Sequence, residues 1–251
     1  MHLFPSETLL AEHILAFLLI LVSPLASYFY ERPYLRAISS SRQKVAFYRY
    51  IVLAQWPVAA AALWILGPSN VLFPPTSEDP AVPSFARIVF GVLLAAFFIL
   101  GLMPFFQSLR GEKYRAAYAR AYHRSLDDVS KLLPETYPER LWFAGISVTA
   151  GVCEEVLCRG FMIRYLDGIA LHLPLVWAIL LAAAIFGVNH IYQGKLGMLK
   201  TGIAGIAFGG LFLFTGSLLL PILLHTAIDM QTVFVLRPAK PQPDEPIEVA
   251  S

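Results

Sequence analysis

Charge is what this sequence has least of. Of its 251 residues, 14% are Asp, Glu, Lys or Arg, against 57% hydrophobic, and the mean hydropathy is +0.64. A soluble domain of this size needs far more charge to cover its surface. Cysteine is scarce as well. Cys153 and Cys158 stand five apart on one predicted helix, too far round to bridge, and read as small packing residues that leave the redox compartment undecided. Short alternating strands, the mark of a membrane barrel, do not occur. No internal repeat is visible. The N-terminus lacks a basic region and carries Glu7 and Glu12, so the first apolar stretch is expected to be a retained span rather than a cleaved signal.

What the chain does have is long apolar runs. A helix needs about 20 mostly apolar residues to cross the hydrocarbon layer, and lipid leaves the backbone no other partner. The expected fold class is therefore all-α: a polytopic membrane helix bundle of about seven transmembrane helices around a polar intramembrane cavity. The runs lie near 9–30, 46–67, 85–108, 141–165, 173–193, 197–214 and 217–236. Segment 68–84 has no Lys or Arg but holds Glu78, Asp79 and several prolines. Arg32, Arg36, Arg42 and Lys44 follow the first run, and a longer basic loop from Arg110 to Arg140 follows the third. With Lys195, Arg237 and Lys240 on the same side, the positive-inside rule puts the N-terminus outside and the C-terminus in the cytoplasm. Three regions result: N-terminal helices with a basic loop over 1–140, a second helix bundle over 141–236, and a Pro-rich acidic tail over 237–251 expected to be disordered.

Two finer features stand apart. Segment 110–133 is polar, with Tyr114, Ala117, Tyr118, Ala121 and Tyr122 at helical spacing, and suits a helix lying on the cytoplasmic membrane surface. Gly202, Gly205, Gly209 and Gly210 in the sixth run favour close helix approach, while Lys200 can snorkel to the interface.

Ionisable groups inside spans are costly and face the bundle interior. Here they cluster in the C-terminal half, as Glu154, Glu155 and Arg159, then Phe186-Gly187-Val188-Asn189-His190, then His225 with Asp229. Glu154 and Glu155 diverge by about 100° on an α-helix and cannot share one direction. Glu155 and Arg159 share a face, acid before base, which is the favourable order for an ion pair. Glu154 is left without a local counter-charge, in a desolvated place, which suits a general base that must accept a proton. His225 and Asp229 also share a face, and Asp229 can accept a hydrogen bond from His225 or orient a bound carbonyl. If the three helices converge, Glu154, His190, His225 and Asp229 line one cavity. A Glu with two histidines can bind zinc, or can activate water and stabilise an oxyanion without metal. Any one of these residues alone is as well explained by helix–helix hydrogen bonding. Three successive polar clusters are harder to explain so.

Other protease patterns are missing. There is no His-Glu-x-x-His, no Gly-x-Ser followed by a suitably placed His, and no pair of intramembrane aspartates.

The motifs present resemble the CAAX-protease and bacteriocin-processing (CPBP, Abi) family of glutamic-type intramembrane proteases. The family pattern Glu-Glu-x-x-x-Arg, Phe-x-x-x-His and His-x-x-x-Asn/Asp matches Glu154-Glu155-x-x-x-Arg159, Phe186-x-x-x-His190 and His225-x-x-x-Asp229, and the run from Phe214 to His225 is similar as well. The resemblance covers roughly 141–236. It implies that Glu154 activates the attacking water with help from His190. His225 and Asp229 would position the carbonyl oxygen, Glu155 and Arg159 would hold the geometry, and Phe186 would pack beneath. Asp229 stands where many members have Asn. An ionised Asp cannot donate to an oxyanion, so it either stays protonated or orients His225. The mechanism expected uses no metal or other cofactor. Were zinc present, Glu154, His190 and His225 would be its ligands.

The activity implied is endoproteolysis of membrane-associated substrates, by C-terminal or CAAX-like processing. The partners implied are membrane lipid and a membrane-anchored or lipidated protein or peptide, not nucleic acid. The location implied is a bacterial inner membrane. Two other classes compete. One is a non-catalytic immunity or scaffold protein of the same family. The other is a small transporter with a Glu/His proton relay, which the lack of a repeat disfavours.

Overall fold

The computed structural model describes residues 6–73, 84–125 and 127–235, and every element among them is helical. Glu78, Asp79 and the tail 237–251 lie outside the described residues. Nine helices are used below: α1 (6–37), α2 (Ser41–Leu66), α3 (Pro68–Leu72), α4 (Ser84–Ser108), α5 (Glu112–Ser125), α6 (Tyr137–Ala170), α7 (Leu175–Asn189), α8 (Gly194–Thr215) and α9 (Leu219–Val235). Five of these rods are long and apolar enough to cross a membrane: 9–37 of α1, α2, 87–108 of α4, α6, and α8 with the turn before it. The other two expected spans, α7 and α9, are shorter apolar helices. At 15 residues α7 rises about 22 Å, short of the ~30 Å apolar layer.

Local chemistry explains the helix ends. Ser40 caps α2 by accepting from the Gln43 N–H, and Gly67, at φ 81°, ends it in a conformation that other residues resist. Thr136 and Glu139 form a capping box at the start of α6. Two wide π-helical turns in α1, Leu18–Val22 and Ser27–Glu31, each precede a proline, Pro24 and Pro33. A proline ring crowds the carbonyl four residues back and brings no N–H, and widening the turn relieves both problems. Segment 110–133 is not one helix. The α-helix α5 gives way to a 3₁₀ turn, Asp127–Leu132.

The two basic loops meet at one end of the bundle. Lys131 Nζ donates to Arg36 O at 2.5 Å, and Tyr48 OH donates to Leu132 O at 2.6 Å. Lys44 is not a loop cation of the ordinary kind. It is buried, donates to Leu133 O at 3.0 Å, and pairs with buried Glu139 at 3.1 Å. Arg140 donates to Val233 O, which brings the end of α9 to the same face. Helices α2 and α6 therefore run parallel from this end, linked further along by Trp56 Nε1 to Thr149 Oγ1 at 3.0 Å.

Close approach is built on missing side chains. A Cβ on Gly151 of α6 would lie 2.0 Å from Thr226 Oγ1 of α9, and one on Gly187 of α7 would lie 2.8 Å from Met198 O of α8. An apolar core including Phe161, Met162, Ile163, Phe212 and Leu218 packs where α6, α7 and α8 meet. Outward, Leu53, Trp64, Phe85, Val176 and Trp177 are exposed, as lipid-facing residues are.

Candidate active site

The Glu-Glu motif does not sit on a regular α-helix. Residues 150–154 and 156–162 of α6 are π-helical, a widening that recurs at functional sites. The two glutamates diverge, as their adjacency requires, yet both reach one imidazole. Glu155 Oε1 lies 2.7 Å from His225 Nδ1, and Glu154 Oε2 lies 3.9 Å from His225 Nε2. His225 is clasped between them, one carboxylate at each of its nitrogens.

Glu155 is fully buried, and Arg159 nearly so. Arg159 Nη1 donates to Glu155 Oε1 at 2.9 Å, which is the i,i+4 pair expected from the spacing. The guanidinium carbon lies 4.4 Å from the Phe186 ring centre and 5.3 Å from that of Phe208, a stacked environment suited to a buried arginine. Because the Glu155 carboxylate is an acceptor, His225 Nδ1 carries the hydrogen and Nε2 faces Glu154 and Asp229.

His190 closes α7. Its Nδ1 lies 2.8 Å from Phe186 O, a carbonyl that can only accept, so Nδ1 is the protonated nitrogen there too. Its Nε2 lies 3.8 Å from Glu154 Oε2. The Phe186 ring packs edge-on to His190 with centres 4.7 Å apart, and to His225 at 6.4 Å. Phe186 thus lies between the two histidines and Arg159.

Asp229 is placed differently from one expectation. Its Oδ2 is 3.7 Å from His225 Nε2, beyond hydrogen-bond range, and the direct carboxylate partner of His225 is Glu155. The reason is geometric: Nδ1 faces Glu155 of α6, which leaves Asp229 only Nε2.

Three residues make contacts that the sequence did not indicate. Gln55 of α2 donates from Nε2 to Glu154 Oε1 at 3.2 Å, while its own Oε1 is buried without a hydrogen-bond partner among the described residues. Its signal was present in principle, as the one polar side chain in the run Ile51–Leu66. Phe208 of α8 stacks on His225 with ring centres 5.1 Å apart, and nothing in its sequence context marks it. Asn189 donates to Leu19 O at 3.0 Å. The π turn frees that carbonyl by sending the Ser23 N–H to Leu18 O.

Among the described residues no group of three or more His, Cys, Asp or Glu is arranged to hold a metal ion. Ligands of a tetrahedral zinc sit about 3.3 Å apart for bonds of 2.0–2.1 Å. The separations of 3.8 and 3.9 Å from Glu154 Oε2 to the two imidazoles are wider.

Residues 137–231 match the family model described as type II CAAX prenyl endopeptidase Rce1-like. The family resemblance holds for this segment. The Rce1-like segment is well under half of the chain, but it contains Glu154, Glu155, Arg159, Phe186, His190, His225 and Asp229. Neither a curated protein nor a solved structure matches the chain. The Rce1-like match and the apolar helices together support an intramembrane endopeptidase. Gln55, Leu19 and Glu31 lie outside the Rce1-like segment. Two of them touch it by hydrogen bonds, and Glu31 is within electrostatic reach of His190 and Glu154.

Proposed function

We propose that this protein hydrolyses peptide bonds of membrane-associated substrates with a water activated by Glu154. The observation that carries the reading is the position of Glu154 Oε2, 3.8 Å from His190 Nε2 and 3.9 Å from His225 Nε2. Those gaps are too long for direct hydrogen bonds and suit a single bridging water. Such a water donates one hydrogen to the Glu154 carboxylate and the other to the unprotonated Nε2 of His190. Glu154 takes the proton as the water oxygen attacks the scissile carbonyl carbon. The oxyanion forms beside His225 Nε2 and Asp229, and its donor there is either His225 as the imidazolium, with Glu155 and Glu154 at its two nitrogens, or Asp229 in its protonated form. The proton on Glu154 then passes to the amide nitrogen as the C–N bond breaks, giving an acid and an amine. Glu155 and Arg159 touch no reacting atom; they fix His225. The Gln55 amide fixes the other oxygen of Glu154.

The reading needs no metal. The donor spacing above favours this form, and zinc on Glu154, His190 and His225 remains the competing one. The substrate proposed is a membrane-anchored or lipidated protein or peptide, cut near its C-terminus or near a span. The setting proposed is a bacterial inner membrane with the N-terminus outside and the basic-loop face in the cytoplasm.

The test is peptide-terminus mass spectrometry on native membranes, wild type against Glu154→Gln, with protein levels matched through an epitope tag. Specific termini that vanish in the variant support the reading and name substrates. Indistinguishable profiles under conditions where the gene matters remove Glu154 as the base and leave a scaffold or immunity role.

A further inference from the structure

Away from the catalytic cluster, a groove of about 540 Å³ opens where α2 and α6 begin. It is lined by Ser41, Arg42, Val45, Ala46, Arg49 and Pro138. Positions 42, 45, 46 and 49 are one helical stripe, so the two guanidiniums stand two turns apart on the same face of α2. Neither has a carboxylate partner among the described residues. The acidic groups nearby are otherwise placed. Glu139 is held by Lys44 and caps α6, and Glu135 is an exposed side chain 3.9 Å from the same lysine. Arg49 lies 4.9 Å above the Trp142 ring, which fixes its position while leaving its donors free. Because α2 and α6 are parallel, both present their positive ends here.

The depth of this groove is what identifies its occupant. Two membrane-crossing helices start at this level. Tyr50 and Tyr137, each next in sequence to a lining residue, are exposed, as aromatic side chains are at a headgroup layer. One turn beyond the arginines the surface becomes apolar, with Leu53 and Leu141 exposed. An anionic head with an acyl chain below it matches this sequence of surfaces. We propose that the groove between α2 and α6 binds the phosphodiester headgroup of an anionic phospholipid through Arg42 and Arg49. The proposal is independent of the catalytic reading. It places a lipid against the helix pair that also carries Gln55 and Glu154, joined at 3.2 Å.

The test is native mass spectrometry of the full chain in detergent, titrated with phosphatidylglycerol or with phosphatidylcholine of the same acyl chains. Wild type is expected to retain phosphatidylglycerol preferentially. Arg42→Gln/Arg49→Gln is expected to bind it about thirtyfold more weakly, at roughly fivefold per arginine. Arg42→Lys/Arg49→Lys, which keeps the charge, is expected to retain most of the preference, which separates loss of charge from loss of fold. If the double glutamine variant is not monodisperse, Arg42→Gln alone is read for its fivefold share. Equal retention of the two lipids by wild type overturns the proposal, as does unchanged retention in the glutamine variants. Displacement of phosphatidylglycerol by millimolar inorganic phosphate would make this a free-phosphate site and overturn the lipid assignment.

Discussion

Nδ1 of His225 lies 2.7 Å from Oε1 of Glu155, the same oxygen that receives Nη1 of Arg159 at 2.9 Å. One carboxylate thus serves two partners inside an apolar bundle and ties α6 to α9. Glu155 therefore acts at a distance from the reacting atoms, through the imidazole that it orients.

Glu155→Gln should affect fold and function together. The variant leaves the Arg159 charge buried without its counter-ion, which costs about 3–5 kcal/mol where such pairs have been broken. The expected outcome is a clear drop in the thermal unfolding midpoint and loss of cleavage. Glu154→Gln should abolish cleavage by about 10²-fold or more at nearly unchanged midpoint, because Glu154 is less buried and its only direct hydrogen bond among the described residues comes from Gln55. Equal thermal effects in the two variants would contradict this division of labour.

Gln55 offers a separate test of the part played by the N-terminal helices. Its amide hydrogen bond goes to a carboxylate, a class worth about 1.5–3 kcal/mol. Gln55→Leu is expected to lower kcat roughly ten- to hundredfold with little change in KM. Gln55→Asn, shorter by one methylene, should recover part of the loss. A change confined to KM would instead place Gln55 in substrate binding.

Asp229 distinguishes the two roles open to it. Its Oδ2 is 3.7 Å from His225 Nε2, so no direct bond depends on its charge. Asp229→Asn supplies an N–H donor at the oxyanion position and is expected to keep cleavage within about threefold, whereas Asp229→Ala should lose about 10²-fold. If Asn proves as damaging as Ala, the carboxylate itself is needed and the donor role is excluded.

Much of this site was legible because polar residues in an apolar chain are conspicuous. Glu154, Glu155, Arg159, His190, His225 and Asp229 had few other reasons to be in spans, and the structure brings them together. The α-helical spacing offers Asp229 as one candidate partner of His225, since spacing relates residues within one helix only. The Glu155–His225 contact joins residues 70 apart and depends on how closely α6 meets α9. The π turns were invisible for a related reason: a 100° rotation per residue was assumed throughout, and the prolines that explain two of the turns lie downstream of them. Phe208 was hidden among equally apolar neighbours. The short helices α7 and α9 show the limit of counting apolar residues, because composition marks a run without fixing how much of it crosses.

The closeness of α6 and α9 gives the last prediction. A Cβ at Gly151 would fall 2.0 Å from Thr226 Oγ1, 2.8 Å from Thr226 N and 3.0 Å from its Cα. The first contact can be relieved by a side-chain change, but the other two involve backbone and cannot. Gly151→Ala should therefore force the helices apart, with the strain of about 1–3 kcal/mol typical of overpacking. Gly151 lies three residues before Glu154, and Thr226 follows His225, so the displacement falls on the contacts between Glu154, Glu155 and His225. Cleavage should fall by more than the modest drop in thermal midpoint explains. Adding Thr226→Ser should not restore it, because Ser keeps both the hydroxyl and the backbone in place. Adding Thr226→Gly should restore only part, by removing the hydroxyl and leaving the backbone. Full recovery in Gly151→Ala/Thr226→Gly would mean that the hydroxyl alone sets the helix spacing.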